Sequence, residues 1–224
     1  MAPLLCLLMI PAAAAGDGNL VFNGDFEAAA AQNPPPGWTM WGDAKYKDPA
    51  NYALDASNPH RGKQCLRIHH PRDAAGYIVS SPENALRLRK GMMVTVSFWA
   101  RAARPGKALF GFDAYETINP YVDAPSPGAF SLEVGPEWKA YTFTVHEGWD
   151  FFASQTRLGL LMFKATTTQA EEQTLWIDDV EAVETPSTRE GRLLERRELT
   201  VPPLEHRLRP GARLEFTEIG RAHV

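Results

Sequence analysis

Two pairs of acids stand far apart in the chain, each inside an apolar stretch. Asp25 and Glu27 close NLVFNGDFE, Asn19 to Glu27, with Phe26 between them. Asp178 and Asp179 sit in the middle of LWIDDVEAV, Leu175 to Val183. In the first stretch Leu20 and Phe22 alternate with Asn19, Val21 and Asn23, the period of a strand with a buried face. If an opening and a closing strand pair, these carboxylates meet, and an oxygen-only cluster suits a hard cation such as Ca²⁺. Two ordinary strands with solvated acids fit the same residues. Glycoside hydrolysis would need two carboxylates facing each other across a cleft. Asp25, Glu27, Asp113, Glu116, Asp178 and Asp179 supply acids, but the strand-end cluster accounts for four of them. There is no serine elbow, no Cys/His pair and no HExxH helix, and the glycines stand singly at turns rather than in a phosphate loop. The expectation is a chain without catalytic residues.

Aromatic residues supply the second kind of chemistry. In VTVSFWARA, Val94 to Ala102, one face holds Val94, Val96, Phe98 and Ala100, and the other holds Thr95, Ser97, Trp99 and Arg101. Lys107 to Tyr115 repeats the alternation, with Phe110 and Phe112 on one side and Asp113 and Tyr115 on the other. A sugar offers an apolar C–H face and a rim of hydroxyls, so its site combines flat rings with a few polar groups. Trp99, Arg101, Asp113 and Tyr115 are therefore expected on one sheet face as a sugar platform. Trp41, Tyr46, Tyr77 and Trp149 are expected to add loop walls. The alternative is that Trp99 packs beneath a loop and the face is merely covered. Trp38, just past a Pro-Gly turn, reads as a core plug, and Trp138 also reads as core. His69 and His70 are adjacent in a strand and face opposite ways, which keeps them from sharing a metal ion.

The elements that must position these residues are all strands. Short alternating segments recur from Asn19 to Glu184, and no helix longer than a turn or two is suggested by periodicity. NLVFNGDFE and the following Pro-Pro-Gly-Trp turn at Pro35 to Trp38 resemble the family 4/9 carbohydrate-binding modules. So do VTVSFWARA, EWKAYTFTV at Glu137 to Val145, and RLGLLMF leading into LWIDDVEAVE. The pieces occur in the right order without large gaps, which makes the set more specific than any one of them. The resemblance implies an all-β jelly-roll sandwich of two antiparallel sheets, the galactose-binding-domain-like fold, over residues 19–184. It implies binding of a polysaccharide or oligosaccharide without catalysis. It also implies one structural calcium ion held by Glu27, Asp178, a carbonyl near Lys63 and a backbone oxygen of Asp25. A spacer domain of the same fold that binds no sugar, and a cell-surface adhesion module, are the competing functions.

Composition and the chain ends bound the rest. A net charge of −4 argues against a nucleic-acid partner, which would need a basic face. Residues 4 to 10, LLCLLMI, followed by Pro11 and the alanines 12–15, have the shape of a secretory signal peptide over residues 1–16. That run is too short to span a bilayer, although it lacks the usual basic start. The expected location is secreted, periplasmic or cell-surface, with no membrane insertion. Cys6 would leave with the leader, so Cys65 would remain as a small buried hydrophobe. Residues 185–217 change composition and are expected to be a linker and the start of a truncated following domain. Glu218 to Val224, EIGRAHV, back-translates to a common sequencing adapter running into a stop codon and is expected to be an assembly artefact. The expected unit is a monomeric module attached to a further domain.

Overall fold

The computed structural model describes residues 18–28, 33–89, 91–123, 129–145 and 157–186. These residues form twelve strands. They are β1 (Trp38–Gly42), β2 (Tyr52–Asp55), β3 (Cys65–His70), β4 (Gly76–Ser80), β5 (Leu86–Leu88) and β6 (Met92–Ala102), followed by β7 (Gly106–Ile118), β8 (Tyr121–Asp123), β9 (Ala129–Val134), β10 (Lys139–Val145), β11 (Arg157–Lys164) and β12 (Gln173–Pro186). One sheet has seven strands in the order β1–β4–β11–β7–β8, with β5 paired to β11 and β9 to β7. The second has five, in the order β10–β6–β12–β3–β2. The two antiparallel sheets pack as a jelly-roll β-sandwich, as the sequence leads one to expect.

The core forms where the alternation places it. Along β6 Val94, Val96, Phe98, Ala100 and Ala102 are buried, and the residues between them are half-exposed. Phe98 reaches across to Phe110 and Phe163 of the other sheet, with ring centroids 5.1 and 5.0 Å apart. Removing such a ring from a sandwich interior costs about 3–5 kcal/mol. Trp38 is buried against Phe26 and Phe163, the core plug expected of it. Cys65 is buried, and burial pushes its thiol up to about 12. Of the two histidines, His70 is fully buried and His69 is half-exposed.

The opening stretch is not a strand. Asn19 to Glu27 is a run of turns, with Asn23 and Phe26 in the left-handed region at φ 50° and 56°. Its buried side chains are Val21 and Phe26, whereas Leu20 and Phe22 are exposed at 42% and 53%, the reverse of the expected face. It still meets the closing strand. Leu20 N–H donates to the Ala182 carbonyl, and Val180 N–H donates to the Gly24 carbonyl, both at 2.8 Å. The Asn19 side chain acts like an extra peptide group, donating to the Val180 carbonyl and accepting from the Ala182 and Val21 amides. Polar side chains here replace a ladder that the turn geometry forbids.

A candidate ligand-binding face

The solvent side of the seven-stranded sheet is curled. Trp41 and Tyr77 pair across β1 and β4, and both point away from the core. Val79, Leu160, Met162 and Tyr115 continue the same face and form an apolar floor that is largely buried. In a flat sheet β1 and β8 would lie about 19 Å apart, four strand spacings. Here the Trp41 ring meets Tyr121 of β8 edge-on at 5.5 Å, and Tyr121 meets Tyr115 at 5.1 Å. The register between β7 and β8 shifts between Tyr115 and Thr117, and a bulge of this kind bends its strand. That bend brings the β7–β8 tip over the floor, with Tyr121 still 46% exposed.

One buried carboxyl stands among these rings, with the exposed Asp123 opposite Tyr115. Burial raises the Asp113 pKa above the ordinary carboxylate value, a hydrogen bond with Tyr77 opposes the rise, and the charge of Asp123 adds to it. Asp113 Oδ2 is buried with no hydrogen-bond partner in the protein. Burial, then Asp113 and its charge, push the Tyr77 hydroxyl upward. Burial and the neighbouring Asp113 and Asp123 push the Tyr115 hydroxyl up to about 12. Lys164, on the same side of β11, has its pKa lowered by burial. The face combines stacking surfaces, hydroxyl donors and one unfilled acceptor.

Four of the expected sugar contacts, Trp41, Tyr77, Asp113 and Tyr115, meet on this face. Trp99 and Arg101 do not. Their strand belongs to the five-stranded sheet, so they project from the opposite side of the sandwich. There His60 stacks on Trp99 with centroids 3.8 Å apart and planes at 14°. The Arg101 guanidinium lies 3.9 Å from the Trp176 ring and 5.3 Å from that of Trp138. Trp176 Nε1 donates to Asp55 Oδ2 at 2.7 Å, and Trp138 Nε1 donates to the Asn58 carbonyl. The ring of Trp99 is thus covered by a loop residue, and Trp138 belongs to this outer ladder rather than the core. Tyr46 corrects another expectation: it is fully buried, and it cannot wall a site. Trp149 lies outside the described residues, as do the leader at residues 1–16 and residues 187–224. Tyr121 is the contact that sequence reasoning missed. The only cue was an aromatic beside Pro120 in a loop expected to rim the sandwich.

The acids organise a turn. Glu27 Oε1 accepts from the Lys63 and Gln64 amides at 2.7 and 3.1 Å. Gly62, at φ 63°, makes room for that carboxylate, since a Cβ there would strike it. From the other side Asp178 Oδ2 accepts from the His60 and Arg61 amides at 2.9 and 3.1 Å, and its Oδ1 accepts from Asp179 N–H. Asp178 is 1% exposed, and burial lifts its pKa to about 6 despite the amide donors. Asp179 turns away, with its Oδ2 2.6 Å from His60 Nδ1. Among the described residues no three His, Cys, Asp or Glu side chains form a metal-binding group. Asp25 is exposed, and its carboxylate accepts from the Glu27 amide. Glu27 Oε1 and both Asp178 oxygens face N–H donors, and the cleft of about 230 Å³ beside Asp25 and Asp179 is also lined by Arg61. The two carboxylates thus grip one turn, Asp178 at His60 and Arg61 and Glu27 at Lys63 and Gln64.

No protein-family model and no curated protein sequence matches the chain. Among solved structures it is similar to a CBM4 carbohydrate-binding module, with 20% identity, coverage of 68% of this chain and 99% of that one, and a TM-score of 0.46. It is also similar to part of an arabinose-bound GH51 α-L-arabinofuranosidase, with 11% identity, coverage of 76% and 27%, and a TM-score of 0.54. A cyclase from Fischerella sp. TAU bound to 4-(1H-indol-3-yl)butan-2-one matches at 12% identity over 77% and 100% of the two chains, with a TM-score of 0.51. The likeness is one of fold.

Proposed function

We propose that residues 19–184 form a non-catalytic carbohydrate-binding module that holds a glycan on the curled face of the seven-stranded sheet. The observation that carries this reading is the gathering of Trp41, Tyr77, Tyr115 and Tyr121 around Asp113. The rings offer stacking surfaces for the C–H faces of sugars, and Asp113 offers an acceptor to a hydroxyl. The sequence resemblance to family 4/9 modules supports the same function. In this reading the module is exported behind residues 1–16 and carried by a longer protein acting on polysaccharide. No helix among the described residues is long and apolar enough to cross a membrane.

Titration calorimetry with soluble β-glucan and xylan oligosaccharides tests the site. Trp41→Ala and Tyr121→Ala should each weaken binding about 5-fold or more, since a stacked ring contributes roughly 1–3 kcal/mol in comparable sites. Unchanged affinity in both variants would overturn the choice of face. A second reading rests on the contact between Trp41 and Tyr121 themselves: the two rings close over the floor as a satellite core, and the domain is a spacer. It requires Tyr121→Ala to lose stability and the parent to bind none of these glycans.

Calcium remains part of the proposal as a structural supplement. Glu27 and Asp178 would be its anionic ligands, backbone oxygens of Asp25 and Lys63 would join them, and waters or further carbonyls would complete the roughly six to eight oxygens that Ca²⁺ takes. An ion bound only by the folded state raises its stability by mass action. Melting curves with calcium and with chelator should then differ, and identical curves would leave the turn to its two carboxylates alone.

A further inference from the structure

Tyr46, Tyr52 and His70 are each fully buried. The two hydroxyls and both imidazole nitrogens have no hydrogen-bond partner in the protein. The three side chains form one cluster, with Tyr46 5.3 Å from Tyr52 and 5.3 Å from His70 between ring centroids. Buried side-chain polar atoms are almost always paired, so four orphaned atoms on three touching rings call for a common cause. Interiors meet such a need with ordered water that makes two to four hydrogen bonds. Neighbouring groups do not supply it. The Asn51 amide is committed to the Lys45 and Tyr46 carbonyls. The charge of Lys164 and the backbone of Glu171 are felt at His70, but neither hydrogen-bonds it within ordinary geometry.

We propose that Tyr46, Tyr52 and His70 enclose an internal water site, in which ordered water bridges the two hydroxyls and a ring nitrogen. Water suits this lining because a neutral imidazole presents one donor and one acceptor while a hydroxyl can act as either. An ion does not suit these three side chains, since two neutral hydroxyls and a neutral imidazole bring no charge to hold one. The site lies behind the ligand face. A Cβ on Gly76 would strike the Tyr46 ring and the Trp41 carbonyl, so Tyr46 is seated flush beneath the β1–β4 pair that carries Trp41 and Tyr77. Hydration of the cluster therefore supports that end of the face.

Tyr46→Phe and Tyr52→Phe delete one hydroxyl each and keep the ring. If water bridges the cluster, each variant loses a hydrogen bond and melts about 2–4 °C lower. If the cluster is dry, each deletion removes an unsatisfied buried group and the melting temperature stays level or rises. That result overturns the proposal. A high-resolution crystal structure of the parent should show water within hydrogen-bonding distance of at least two of the three residues. Direct bonds among the three side chains, with no water between them, would overturn it even if the variants melt lower.

Discussion

The two outer faces of the sandwich are built from the same residue types and use them in opposite ways. On the five-stranded sheet the rings are partnered: Trp99 lies under His60, the Arg101 guanidinium lies on Trp176 although its Nε makes no hydrogen bond, and both Trp138 and Trp176 donate from their indole nitrogens. On the seven-stranded sheet Trp41, Tyr121 and Tyr115 meet one another above an apolar floor, and the central carboxyl keeps an oxygen without a partner. A face whose polar and aromatic groups are matched to one another gains stability from them. A face that leaves them unmatched has bonds to offer a ligand. Aromatic content on its own does not tell these situations apart.

Three experiments press on that contrast. The largest effect should come from Asp178→Ala, which strips the acceptor from the amides of His60, Arg61 and Asp179. Loss of about 2–3 kcal/mol of stability is expected from leaving these donors unpaired, and Trp99 should become more accessible to a fluorescence quencher as His60 is released. Little change in either would mean that the loop holds itself over Trp99 unaided.

Trp99→Ala should cost about 1–2 kcal/mol, the stacking with His60 plus the half-buried ring surface. Glycan affinity per folded molecule should stay at the parent level. A variant that melts like the parent yet no longer binds would move the ligand to the five-stranded sheet and reverse the contrast.

The smallest effect concerns pH. Burial, aided by the charges of Lys164 and His69, holds the His70 pKa below its ordinary value of 6.5. A depressed histidine favours the folded state above the unfolded pKa, and that contribution is lost as pH falls from about 6.5 toward the folded value. Asp178 acts in the other direction, because its raised pKa makes the folded state the better proton acceptor as pH drops below about 6. Substituting His70→Phe isolates the histidine: the variant should lose less melting temperature between pH 7 and pH 5 than the parent does. An equal or larger loss would remove His70 from the account.

Much of the fold was legible because alternation is a local signal. The inward set on β6 needed only a period of two. Which sheet a strand joins is not local. β6 pairs with β10 and β12, while β7, only three residues later, pairs with β11, β8 and β9 in the other sheet. Parity carried across that connection put Trp99 and Asp113 on one face, and the crossover separates them. Tyr46 misled for a different reason. It stands between lysines in a polar loop, and the space that receives it is opened by Gly76, thirty residues downstream. The start of the chain shows the limit of pattern from another side, since NLVFNGDFE alternates like a strand while Asn23 and Phe26 take left-handed conformations that no strand accommodates.

The seating of Asn19 and Leu20 against Ala182 has a mechanical consequence. The chain enters the sandwich beside the strand by which it leaves, so the module hangs from a single point like a pendant on a cord. Tension along a longer polypeptide would fall first on a few bonds between Asn19, Leu20, Gly24 and β12, which can part in sequence. Neighbouring entry and exit also let such a unit be spliced into another chain without pushing its flanks apart.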